Sequence, residues 1–178
     1  YRCNSDMPLI KSVPSGPIIQ QTNNQNAPSR TYQDLIKNKN DEILFEYYSC
    51  VELHKVSING SDSKIVDSGM IKDYDISPGQ DYLLVKKIKK PFSYLVPYYR
   101  FPYEVKTINI DNNIENIIAD IPIDEVRPIG FDATRVGIRS VSWRDDKASE
   151  LYWVEANDNG DPKVEVDGRD TVSYTHLR

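Results

Sequence analysis

DYDISPGQDYLLVKK, Asp73–Lys87, decides the fold: a short strand ending in Ser77, a polar turn at Pro78-Gly79, then the apolar, β-branched strand Tyr82–Ile88. The same order recurs at Arg139–Ala156, RSVSWRDDKASELYWVEA, where a strand ends at Arg144, a polar turn follows, and LYWVEA is the apolar strand. The two copies lie about 65 residues apart. That exceeds the roughly 40–50 residues of an ordinary propeller blade. The aromatic insertion Pro91–Pro102 and the loop-like stretch Pro122–Gly137 account for the excess.

Working outward, Tyr103–Ile110 alternates apolar and polar positions, Asp111-Asn112-Asn113 is a turn, and Glu115–Asp120 returns. With Lys72–Ser77 and Tyr82–Ile88 this predicts a four-stranded antiparallel meander. In the second unit, Asn157-Asp158-Asn159-Gly160 turns into an expected return strand at Lys163–Val166. On the N-terminal side, Asn59-Gly60 is the strongest short hairpin signal, joining Val51–Ile58 to Lys64–Val66. Thr31 followed by Asp34 resembles a capping box and predicts a short helix over about Tyr32–Asn38. Tyr1–Ser29, rich in Pro, Gln, Asn and Ser, reads as linker, with Pro17–Ile19 able to pair as an edge strand. The expected fold class is all-β: a partial β-propeller of about two four-stranded antiparallel blades, with an N-terminal extension containing a short helix. A β-sandwich of seven or so strands fits the alternation as well.

Composition bounds the function. The 178 residues suffice for one domain with its own core, and 12 tyrosines favour sheet over helix bundle. A net charge of −5 argues against a nucleic-acid partner. The basic run Lys86–Lys90 reads as the solvent side of a strand. No apolar run is long enough for a membrane span. Cys3 and Cys50 lack metal-ligand spacing; two free thiols is the plainer reading, with one bridge left open. A chain that begins at Tyr1 without Met reads as processed or as the interior of a longer protein.

Pro91–Pro102, PFSYLVPYYRFP, packs five aromatics, three prolines and one cation into a connection between strands. Leaving such side chains in water forfeits about 1.5–3 kcal/mol each, so the stretch is expected to be ordered and packed against something. Chemistry is sparse elsewhere. There is no G-x-S-x-G elbow. His54 reads as a strand-surface residue rather than a base, and NDNGDP as turn chemistry rather than a calcium loop. Asn59-Gly60-Ser61 is a formal glycosylation sequon. No catalytic residue, metal site or cofactor is expected within the chain.

TYQDLIKN with DEILFEYY, PFSYLVPYYRFPYEV, and SVSWRDD followed by ELYWVEA and DNGDPKVEV resemble the prolyl oligopeptidase family of serine peptidases, in its glutamyl-endopeptidase-like branch. The likeness covers about Pro28–Val166, and Ser77-Pro78-Gly79-Gln80 departs from the family's usual Ser-Pro-Asp-Gly turn. The resemblance implies an N-terminal propeller that shapes the substrate chamber of an α/β-hydrolase domain carrying Ser, Asp and His, a domain absent here. Residues 1–29 would then be a lead segment and residues 30–172 the partial propeller. Residues 173–178, which leave the family pattern, would be a foreign tail that strips His176 of meaning. Expected partners are a peptide or protein substrate and the hydrolase domain, with no nucleic acid. The resemblance favours a periplasmic or secreted parent, and plastid-targeted members also exist. Cleavage after Glu calls for a chamber cation; Arg100 is the candidate, with Tyr98 and Tyr99 beside it, and Arg139 and Arg144 rank below. The competing reading is a stand-alone, non-catalytic β-propeller or β-sandwich that binds a protein or peptide.

Overall fold

The computed structural model describes residues 3, 6–9, 32–128 and 130–177. The lead-segment reading, the Pro17–Ile19 edge strand and the Thr31 cap fall largely or wholly outside these residues. The described chain is mostly β, as expected: two antiparallel sheets and one short helix. No helix among the described residues is long and apolar enough to cross a membrane.

The helix lies later than the sequence predicted. Helix α1 is Lys39–Ser49, and residues 32–38 precede it as non-helical chain. The polar run Lys37–Asp41 supplies the cap. Asn38 accepts from the backbone N–H of Asn40 and Asp41 at 2.9 and 3.1 Å, satisfying donors the first helical turn leaves open. The Asp41 carboxylate accepts from the Lys37 N–H at 2.9 Å and, with Glu42, places negative charge at the positive end of the helix dipole.

Five strands follow in sequence order: β1 (Cys50–Val56), β2 (Asp62–Ile76), β3 (Tyr82–Ile88), β4 (Tyr103–Asn109) and β5 (Glu115–Ile121). The Asn59-Gly60 hairpin forms as predicted, with Gly60 at φ +87°, a backbone region glycine enters without a Cβ penalty. The expected segments Lys64–Val66 and Lys72–Ser77 are not separate strands. They are the two ends of the 15-residue β2, which pairs with β1 over Asp62–Met70 and with β3 over Ile71–Ile76. The predicted meander therefore gains a fifth strand.

The second sheet is β6 (Arg139–Trp143), β7 (Glu150–Ala156) and β8 (Asp170–His176). Its return strand is not Lys163–Val166. There the chain stays in turns, because the buried Asp158 carboxylate accepts from the Gly160 N–H at 2.7 Å and from Arg169 at 2.6 Å, folding the segment back on itself. β8 includes residues 173–176, part of the stretch set apart as a foreign tail, and pairs with β7 from Ala156↔Asp170 to Glu150↔His176.

The two repeated units pack on each other. Leu84, Val105, Ala119 and Ile121 of the first sheet share one core with Val141, Trp143 and Leu151 of the second. Trp143 is 3% exposed, and its indole N–H donates to the Asp75 carbonyl at 3.2 Å. The two polar turns also meet: the Gly79 N–H donates to the Ala148 carbonyl at 2.8 Å. β3 is covered on both faces, since Leu83 and Val85 pack with Val66 and Ile108 on the side opposite Leu84. Its sequence is correspondingly apolar without clean alternation.

A third cluster joins Met70, Ile88, Phe92 and Phe101 with Phe45 of α1. Phe45 meets Phe92 edge-on at 5.2 Å and Phe101 at 5.7 Å. Half of the aromatic insertion thus packs inside this chain, against a helix the sequence reading had misplaced. The free-thiol reading is also corrected: Cys3 and Cys50 form a disulfide with an S–S distance of 2.06 Å that ties the N-terminal segment to the start of β1.

Candidate functional site

The insertion that follows β3 ends in a single 3-10 turn, Tyr98–Arg100, framed by Pro97 and Pro102. Proline at either side fixes extended backbone and removes donors, so the turn cannot lengthen into helix. Its residues point different ways. Tyr98 and Tyr99 are 56% and 52% exposed, whereas Arg100 is 8% exposed. The Arg100 guanidinium lies over the Tyr32 ring at 5.4 Å, its backbone carbonyl accepts from the Asp124 N–H at 3.0 Å, and its buried Nε has no hydrogen-bond partner among the described residues. The guanidinium of the candidate chamber cation thus stacks on Tyr32.

Tyr98 and Tyr99 border a cavity of about 360 Å³. Lys72 and Asp73 of β2, Lys86 of β3 and Tyr103 of β4 form its floor, and β6 closes the far side at Ser140. Arg100 is not among the lining residues. The sheet register explains the floor: Asp73 stands opposite Lys86, and their side chains pair at 2.8 Å. Lys72 has a different environment. Its ammonium donates to the Tyr99 carbonyl at 2.8 Å and sits 4.0 Å from the centroid of the Tyr103 ring. Burial pushes its pKa down to about 8, and the neighbouring charges of Lys86 and Arg135 push the same way. Ser140, at the rim, holds φ +55°, a left-handed conformation that costs a non-glycine residue of order 1 kcal/mol.

The other residues singled out from sequence find local partners. Arg144 pairs with Asp146 and Glu150, and Arg139 with Asp170, as strand-end arginines do. His54 faces carboxylates at both ring nitrogens, Asp62 at 2.8 Å and Glu52 at 3.2 Å, which raises its pKa and suits an imidazolium rather than a free base. His176 meets Glu150 at 2.8 Å. No group of three His, Cys, Asp or Glu able to hold a metal occurs among the described residues.

Sequence reasoning missed Lys72, Lys86 and Tyr103. Nothing in their order signals a shared cleft, because three strands and an insertion supply them. Only the strand register brings them together.

Neither a family model nor a solved structure matches the chain. Curated plant proteins do. A protein of Oryza sativa subsp. japonica named "Probable glutamyl endopeptidase, chloroplastic" is 42% identical over 166 residues, which is 93% of this chain and 18% of that protein. The chain is a homologue of one stretch of these glutamyl endopeptidases. The Arabidopsis thaliana protein of the same name is 37% identical over 161 residues, 90% of this chain and 17% of that protein. The branch of the prolyl oligopeptidase family that the motifs resembled is thus the one found. The chain spans about a sixth of the length of the curated glutamyl endopeptidases it matches.

Proposed function

We propose that this chain is part of the β-propeller of a glutamyl-endopeptidase-like serine peptidase, and that it narrows and shapes the path by which peptides reach a catalytic domain carried elsewhere in the longer protein. The observation that carries this reading is the match itself: nine-tenths or more of the chain aligns with about a sixth of each relative. Two antiparallel sheets packed through one core, with their equivalent turns in contact, support a blade-on-blade arrangement. In the parent, a serine of the hydrolase domain attacks the peptide carbonyl with histidine as base, while fixed donors hold the oxyanion. The contribution of this chain is steric and electrostatic. Tyr98 and Tyr99, half exposed on a turn held by prolines, face the substrate path, and Arg100 holds that turn from behind through Tyr32 and Asp124. The exposed Tyr94 and Leu95 lie on the same insertion and offer a contact to the hydrolase domain. An organellar parent belongs to the same reading, since both relatives are named chloroplastic.

The test uses the full-length parent on two substrates, a short Glu-containing peptide and a stably folded protein rich in Glu. Cleavage of the peptide that is abolished by a serine-directed inhibitor, with the folded protein spared, is the expected result. Absence of peptide cleavage would refute the peptidase reading, and equal rates on both substrates would refute the gating role.

A further inference from the structure

We propose that Asn59, at the tip of the β1–β2 hairpin, is a self-modification site. The Gly60 amide nitrogen attacks its side-chain carbonyl and water then leaves a carboxylate, while the second Asn-Gly pair, Asn159-Gly160, is held inert by its packing. Asparagine is among the chemically labile residues. Its side-chain amide is a poor electrophile, so the reaction needs a backbone nitrogen that can come free on its C-terminal side and room to close a five-membered ring. Glycine at that side leaves the most room, because it has no Cβ.

The sequence gives both pairs the same chance; the structure separates them. Residues 57–64 are all exposed, and a Cβ placed on Gly60 would meet nothing within 4 Å. The Gly60 N–H donates to the Ser57 carbonyl at 2.9 Å, a bond at a solvent-exposed tip that local opening frees. The Asn59 Oδ1 accepts from the Ser61 hydroxyl at 2.7 Å, from the Ser61 N–H at 3.1 Å and from the Ser57 hydroxyl. These donors draw charge away from Cγ and hold the oxygen that turns negative as nitrogen adds, as an oxyanion is held in an active site. At the other pair, Gly160 is buried. Its N–H donates to the Asp158 carboxylate at 2.7 Å, and its carbonyl accepts from the Thr134 N–H at 3.0 Å. A Cβ there would lie 2.3 Å from the Thr134 carbonyl oxygen, so the backbone has no space to turn. Asp158 is 1% exposed and tied to Arg169, which keeps that nitrogen occupied.

The chemistry balances with water alone. The Gly60 nitrogen loses its proton to hydroxide and gives its electron pair to Cγ, forming the N–Cγ bond. The Cγ–Nδ2 bond breaks, and the nitrogen leaves as ammonia with a proton from water, closing a succinimide. Water then adds to either ring carbonyl and cleaves its bond to nitrogen, giving aspartate or isoaspartate. One water is consumed and one ammonia released, with no change of oxidation state. Isoaspartate places an extra methylene in the main chain, which disrupts the bond from the Ser57 N–H to the Ser61 carbonyl, 2.9 Å long, at the mouth of the turn. The modification is independent of the peptidase reading.

The experiment is timed incubation of the full chain at pH 7.5, folded and in concentrated urea. Peptide mapping by mass spectrometry follows each Asn-Gly pair, and an isoaspartyl carboxyl methyltransferase with S-adenosylmethionine detects isoaspartate. In the folded chain Asn59 is expected to convert at least tenfold faster than Asn159, with both aspartate and isoaspartate formed. In urea the two rates should converge. Ser61→Ala, an exposed change that removes one donor to Oδ1, should slow Asn59 several-fold and leave Asn159 untouched. Equal folded-state rates at the two sites, an Asn59 that converts only in urea, or aspartate without isoaspartate would overturn the proposal. An unchanged rate in Ser61→Ala would overturn the role given to the hydroxyl donor.

Discussion

Replacing Trp143 by Ala tests whether the two repeated units form one cooperative body. Trp143 is 3% exposed at the centre of the core shared by Leu84 and Val105 of the first sheet and Leu151 of the second. Removing a buried Trp or Phe side chain costs about 3–5 kcal/mol, combining lost transfer free energy with a cavity. The indole hydrogen bond to Asp75 adds little, because Asp75 is exposed and water can take over its carbonyl. The expected loss is therefore about 3–4 kcal/mol, a large share of the roughly 5–15 kcal/mol that holds a domain. Trp153, only partly buried on β7, serves as the control, and its replacement by Ala should cost about 1 kcal/mol. The assay is urea unfolding at low protein concentration combined with amide exchange of β3 and β7. Trp143→Ala should lower the midpoint strongly and remove protection from both strands together. Loss of protection in β7 alone, or a destabilisation no larger than that of the Trp153 control, would refute the shared core.

Three further outcomes follow from local geometry. Gln80 holds φ +64° in the turn after Pro78, so Gln80→Gly should stabilise the chain by about 0.5–1 kcal/mol in the same unfolding assay, and a destabilisation would contradict the turn. The Cys3–Cys50 bridge closes a loop of 47 residues' separation, and on chain-entropy grounds reduction should cost about 2–4 kcal/mol. Denatured, unreduced protein should show no free thiol, and two reactive thiols would restore the simpler reading. His54 has a raised pKa because Asp62 first, and then Glu52, favour its charged form. Its stabilising contribution is fully present below the unfolded value of about 6.5 and is lost as pH rises through the higher folded value. NMR titration should place its midpoint above 6.5, and His54→Gln should flatten the stability profile in that window.

The sheets were legible because their signals are local. Asn59-Gly60, Pro78-Gly79 and Asp111-Asn112-Asn113 each mark a turn by residue type, and the strands between them alternate or are uniformly apolar. The helix was misplaced because Thr31 and Asp34 mimic a capping box, whereas the residue that caps it is Asn38, and Ile43–Tyr48 is an apolar run too short to tell strand from helix by period. The return strand of the second sheet was misread because Lys163–Val166 has apolar residues at strand spacing. Burial of Asp158 against Arg169 keeps that segment in turns, and the β-branched Thr171, Val172 and Thr175 pair with β7 instead. The site was legible only at Tyr98 and Tyr99, where aromatic density betrayed an ordered insertion. Lys72 could not be distinguished from the neighbouring strand lysines, because only the sheet register shows that Asp73 pairs with Lys86 rather than with it.

The most direct test of the peptidase assignment is to label the full-length parent with a fluorophosphonate and map the modified residue by mass spectrometry. A single labelled serine in the hydrolase portion, outside residues 1–178, with labelling suppressed by a Glu-containing peptide, is the predicted result. A label on a serine within this chain, or an intact parent that takes up no label and cleaves no peptide, would contradict it.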